Sequence, residues 1–229
     1  MERHFDVSLR ELKEQLVGMA GLVESAIDKA TQALKTKDVG LLSHVHEIEK
    51  KVNHAHKAVD NSCLKLLALQ QPLAADLRLI VAIIKINTDL ERMGDQAENI
   101  AYNSERYIRG KELKPLIDLP IMADEVRSMV REALDSFVKS DEPLARDVLK
   151  RDDKVDALKN KIFRDVLEHL KGQPDLLEQG LSLILIARNL ERIGDHATNI
   201  AEDVIFAVSG EDIRHSAKVE TIKGAFNQK

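Results

Sequence analysis

Residues 91–101 read ERMGDQAENIA, and residues 191–201 read ERIGDHATNIA. Eight of the eleven positions are identical at a spacing of one hundred residues. A phrase written twice points to a duplicated unit, and the likeness spreads outward from it. MAGLVESAIDKATQALKTKD (19–38) aligns with MADEVRSMVREALDSFVKSD (122–141) at an offset of 103. The second copy has therefore lost three residues, and a turn between helices is the expected place. Pro72 in LQQPLAADL and Pro174 in KGQPDLLEQ mark equivalent breaks. Two copies of so large a unit mean tandem domains rather than a solenoid.

Each copy holds three apolar-periodic segments, near 6–36, 39–70 and 73–109 in the first and 119–139, 143–171 and 175–209 in the second. Val45, Ile48, Val52, Ala55 and Val59 recur at helical spacing. So do Leu183, Ala187, Leu190, Gly194, Ala197, Ala201 and Val204. Asp38 and Asp141 stand where N-caps belong, and Pro143 suits an early helical position. No segment alternates with the period of a strand. KELKPLIDLP (111–120), with two prolines and no apolar stripe, separates the copies. The chain is therefore expected to be all-α: two tandem, sequence-related antiparallel three-helix bundles, residues 1–113 and 114–229, built from six long helices.

Composition agrees with helix. Aromatics are 3% of the 229 residues, Trp is absent, and Gly (10) and Pro (5) are scarce. The net charge is −5 with both signs mixed, and no basic stripe interleaved with aromatics supports a nucleic-acid surface. The single cysteine, Cys63, cannot form an internal disulfide; it lies among apolar residues and reads as a core thiol in a reducing compartment. The opening MERHFDVSLR has no signal-peptide core, and no apolar run approaches the ~20 residues of a membrane span, so a soluble cytoplasmic protein is expected.

The repeated phrase carries the chemistry. Glu91 and Asp95, like Glu191 and Asp195, are four residues apart and stack on one helix face. Asn99 and Asn199 extend each row by a turn. The rows flank the stripe through Leu90 and Gly94, or Leu190 and Gly194. Like charges at this spacing cost a few tenths of a kcal/mol, which suggests a compensating cation. Asp152 and Asp156 form another such pair on the preceding helix, and Glu49 and Asn53 are their first-copy equivalents. Two facing helices would give four oxygen-bearing side chains per bundle, a donor set suited to Mg²⁺, Mn²⁺, iron or Zn²⁺. Interior glycines at 94 and 194 each cost about 1 kcal/mol relative to Ala and point to close helix packing there. His46 and His56 share a stripe with Glu49 and Asn53, with His44 and His54 near; a solvated face is the expected reading, and His196 reads as surface. No nucleotide-binding glycine loop, HExxH, CxxC or ferritin-like Glu-x-x-His occurs.

QQPLAADLR (70–78), DLERMGDQAENIA (89–101), NLERIGDHATNIA (189–201) and DDKVD (152–156), in a two-copy plan, resemble the PhoU family of phosphate-transport and phosphate-signalling accessory proteins. The resemblance covers nearly the whole chain and implies two three-helix bundles. It implies a non-enzymatic negative regulator of the phosphate-starvation response in bacterial cytoplasm. Such a regulator joins the ATPase subunit of an ABC-type phosphate transporter to a phosphate-sensing histidine kinase, with peripheral membrane association through these partners and a homodimer as its assembly. It also implies metal clusters, iron or zinc in some members, on E(D)xxxD motifs. Carried over, the ligands are Glu49, Glu91, Asp95, Asp152, Asp156, Glu191 and Asp195. Asn53 stands where the pattern has Asp, and its neutral amide oxygen is a weaker donor; His46 or His56 is a candidate to compensate.

Two readings compete with an adaptor. A metal-dependent hydrolase or oxidase on the carboxylate clusters would need an enclosed pocket and an open metal position. A purely structural bundle would leave the acidic rows incidental.

Overall fold

The computed structural model describes residues 4–111, 113 and 118–214. The expected boundary between 113 and 114 falls at its edge, and most of the connecting segment lies outside the described residues. Helices α1 (His4–Thr36), α2 (Gly40–Gln70) and α3 (Ala75–Arg109) form the first bundle. The second comprises α4 (Asp118–Lys139), α5 (Glu142–Leu149), α6 (Asp152–Leu170), a 3-10 turn at Pro174–Leu176, and α7 (Leu177–Ser209). The described residues hold no strand.

The apolar stripes pack as their spacing requires. Val45, Val52, Val59, Ile83, Ile86 and Leu90 of the first bundle are buried, as are Val126, Val155, Val166, Ile186 and Leu190 of the second. Full burial of each such side chain contributes about 1.5–3 kcal/mol. Cys63 is buried in this core, and burial followed by the Asp60 charge pushes its thiol up to about 12. It is an inert apolar filler, as expected.

The two copies differ where the sequence is hard to read. One continuous middle helix was expected at 143–171, yet it breaks at Lys150 and Arg151. Arg151 donates to Glu125 at 2.6 Å and to Glu132 at 2.7 Å, both on α4. Tight turn bonds run through the break, from the Arg151 amide to the Val148 carbonyl and from the Lys154 amide to the Arg151 carbonyl. Asp141 caps α5 by accepting from the Leu144 amide, with Pro143 in the first turn. Asp38 acts one position further out than expected: Val39 holds the cap position of α2, and Asp38 accepts from the Gly40 amide at 2.8 Å. The lost residues are also placed. At the 103 offset Leu170, the end of α6, aligns with Leu67, three short of the α2 terminus at Gln70.

The bundles lie side by side. Among the described residues the most extensive helix contact joins α3 to α7, and α1 also meets α4. Lys85–Asp203 at 3.1 Å and Arg106–Glu178 at 2.6 Å show that α3 and α7 run antiparallel. The middle of each helix therefore lies opposite the middle of the other, and the rows Glu91–Asp95 and Glu191–Asp195 sit at one height.

Candidate functional site: two acidic clusters

Gly94 lets α2 approach α3. A Cβ at Gly94 would lie 3.1 Å from the Val52 Cγ1 on α2, tighter than ordinary contact. The second bundle repeats the contact more loosely, with Val155 3.5 Å from a Cβ on Gly194. These approaches bring the middle helix of each bundle alongside its acidic row.

In the first bundle Glu49 is buried, and Asp95, Glu91 and Asn53 are half-buried. The Asn53 amide donates to Glu49, so its nitrogen rather than its oxygen faces that carboxylate. His46 Nδ1 lies 2.5 Å from Glu98 Oε1, which spans α2 and α3. His46, Glu49 and Glu98 offer donor atoms all within 4.8 Å of one another. Burial, then the charges of Glu98 and Asp95, hold the Glu49 carboxyl above the usual range, against His46 and Asn53. Burial, then Glu91 and Glu98, do the same for Asp95. An imidazole with carboxylates around it is a fitting donor set for zinc or ferrous iron.

In the second bundle Asp152 and Asp156 on α6 face Glu191 and Asp195 on α7. Partial loss of water, then Glu191, Asp152 and Asp156, raise the Asp195 carboxyl to about 6, although the residue as a whole is exposed. The Asp152 carboxyl is raised by burial and then by Asp156, Asp153 and Glu191. Lys159 Nζ sits within the cluster, 2.7 Å from Asp156 Oδ1 and 2.8 Å from Glu191 Oε1. These two bonds raise the lysine pKa.

The expected residues thus gather as two clusters, one per bundle. Glu98 and Lys159 were not anticipated. The signal for both lay in mismatches between the copies, since Glu98 aligns with Thr198 and Lys159 with His56. The solvated reading holds for His44, His46 and His54, all exposed, and His44 also bonds back to the Gly40 carbonyl at 3.2 Å. His46 meets the first cluster from that exposed face, its side chain remaining mostly in solvent. His56 lies 3.3 Å from the Asn87 carbonyl and 3.4 Å from Asp60. The surface assignment of His196 is corrected: its side chain is 14% exposed and pairs with Asp89 at 2.8 Å across the α3–α7 contact. Asn199 also turns to Asp89, at 3.3 Å, rather than extending the acidic row. A partner helix from the other bundle covers positions that one helix alone would leave wet.

Both clusters lie on helix flanks. A groove lined by Ser43, His46, Glu98 and Tyr102 opens beside the first. None of the described helices is long and apolar enough to cross a membrane.

Residues 16–104 and 119–204 each match the PhoU domain. The phosphate-specific transport system accessory protein PhoU homolog of Pseudomonas putida is 38% identical over 216 residues, spanning 94% of this chain and 84% of that protein. The homolog from Aquifex aeolicus is 39% identical over 207 residues, 90% of this chain and 94% of its own length. The crystal structure of PhoU from Pseudomonas aeruginosa superposes with a TM-score of 0.88 at 37% identity, over 91% of this chain and 100% of that one. The phosphate transport system regulatory protein PhoU from Streptococcus pneumoniae gives 0.84 at 28% identity, over 91% and 99%.

Proposed function

This chain belongs to the PhoU family, and on that premise we propose that it is a non-enzymatic regulator of phosphate homeostasis. It acts in the cytoplasm as a negative regulator of the phosphate-starvation response. It couples the ATPase subunit of an ABC phosphate transporter to a phosphate-sensing histidine kinase, reaches the membrane surface through those partners, and works as a homodimer. The observation that carries this reading is kinship along both copies of the domain with proteins named as phosphate-transport accessory and regulatory proteins.

The geometry is compatible with docking. Carboxylates on helix flanks, beside half-open grooves lined by His46 and Glu98 or by Lys159 and Glu191, suit recognition of basic surfaces. His46, Glu49 and Glu98, with Asp95 and Glu91 beside them, are the residues that would hold a metal in the first bundle. Iron or zinc fits the imidazole; magnesium or manganese would lean on the carboxylates alone. Asn53 serves there by holding Glu49 rather than as a ligand.

The test is reconstitution with a transporter ATPase and a phosphate-sensing kinase from one bacterium. The chain is expected to bind both and to lower kinase autophosphorylation when phosphate is plentiful. Asp95→Lys with Asp195→Lys is expected to weaken that binding at least tenfold. Phosphatase or oxidase turnover by metal-loaded protein, abolished by Asp195→Ala, would overturn the regulator reading in favour of a hydrolase or oxidase.

A further inference from the structure

The two copies of the acidic motif are not chemically equivalent. In the second bundle the Lys159 ammonium bridges Asp156 on its own helix and Glu191 on α7, at 2.7 and 2.8 Å. That is the place a cation joining the two rows would take. The lysine is 27% and Glu191 20% exposed, so the bond to Glu191 is the covered one, while Asp156 is half exposed. We infer that this tethered amine is the resident cation of the second cluster and that metal is held in the first bundle alone.

Three observations converge. The first-bundle counterpart of Lys159 is His56, which turns to the Asn87 carbonyl and Asp60, so this position brings no amine to Glu49, Asp95 and Glu98. The counterparts of His46 and Glu98 in the second bundle are Leu149, packed against the core, and Thr198, whose hydroxyl donates to the Asp195 carbonyl at 2.8 Å. The second cluster therefore lacks the imidazole of the first, although Asp152, Asp156, Glu191 and Asp195 match it in number of carboxylates. A divalent ion entering it would have to break two charge-assisted bonds and then sit beside the displaced ammonium. A tethered cation has the further advantage of losing no translational freedom on binding. Chelators should then alter only the first-bundle face, while partners of the second meet the same charge with or without metal.

The inference rests on the reading above for the first cluster but is tested apart from it. Full-length protein is titrated with Zn²⁺ and with Mn²⁺ by calorimetry, and bound metal is counted by elemental mass spectrometry. Wild type is expected to take one equivalent. His46→Ala with Glu98→Gln should remove it, and Glu191→Gln with Asp195→Asn should leave it within twofold in affinity. Lys159→Met should add a second equivalent, bound at least tenfold tighter than any in wild type at that cluster and lost again on Glu191→Gln. Lys159→Gln supplies the same test should the methionine variant fold poorly. Two equivalents in wild type, with one lost in Glu191→Gln plus Asp195→Asn, would overturn the inference. So would a single equivalent lost in that variant, or no added equivalent in either lysine variant. Wild type binding nothing while Lys159→Met binds one equivalent would sink the first-bundle metal reading and uphold the role of Lys159.

Discussion

Asp195 shows what a carboxylate row costs without a full complement of cations. Its carboxyl is raised to about 6 by partial desolvation and by Glu191, Asp152 and Asp156. A raised acid binds its proton more tightly folded than unfolded, so its stabilising contribution is complete below about pH 4. That contribution is lost as pH rises through about 6. The exposed position screens the effect. Asp195→Asn is therefore expected to match wild type near pH 4 and to be more stable at pH 7, by roughly 0.5 kcal/mol. Urea midpoints measured across that range on metal-free protein would check it, and a less stable variant at neutral pH would refute it.

Gly94 and Gly194 sit where the middle helix of each bundle meets the acidic row, and the two copies use the glycine to different degrees. Gly94 has Val52 close overhead, whereas Gly194 has room for a methyl group. Alanine gains about 1 kcal/mol in a helix interior. Gly194→Ala should therefore stabilise by about 0.5–1 kcal/mol. At Gly94 the crowding against Val52 should cancel that gain and push α2 from α3, loosening His46 and Glu49 from Glu98. Thermal melts of the two variants, with Zn²⁺ titration of each, would show it; equal gains in Tm with unchanged Zn²⁺ affinity would refute the packing argument. The break between α5 and α6 follows similar logic. Burial raises the Glu125 carboxyl, but its bonds to Lys154 and Arg151 outweigh that and hold it below its ordinary value. Those charges on α4 fix Arg151 at the turn. A period count cannot detect such a break because the apolar stripe runs straight through it.

The molecule as a whole is held together by α3 against α7. Asp89–His196, Asn199–Asp89 and Lys85–Asp203 all cross that contact, and Asp203 is 3% exposed with Arg214 also within 3.5 Å. Burying one partner of such a pair without the other costs several kcal/mol. We propose the boundary between residues 113 and 114, at which the chain can be cut, with the halves still needing each other. Co-expressed 1–113 and 114–229 are expected to co-purify as a one-to-one complex, and each alone to melt at least 10 °C below the intact chain. Halves that stay monomeric and equally stable when mixed would show that the α3–α7 contact contributes little.

Helix content, duplication and the Glu-x-x-x-Asp pair of each acidic row were legible along the chain. They depend on spacing within one helix, and a period of 3.6 residues sets which side chains share a face. The place of Lys159 in the second cluster and of Glu98 in the first, the turn of Asn199 to Asp89, and the burial of His196 were not legible. Each depends on which helix lies opposite and at what height. That register is set by small differences in packing, such as a valine over one glycine more tightly than over its copy, summed over two bundles.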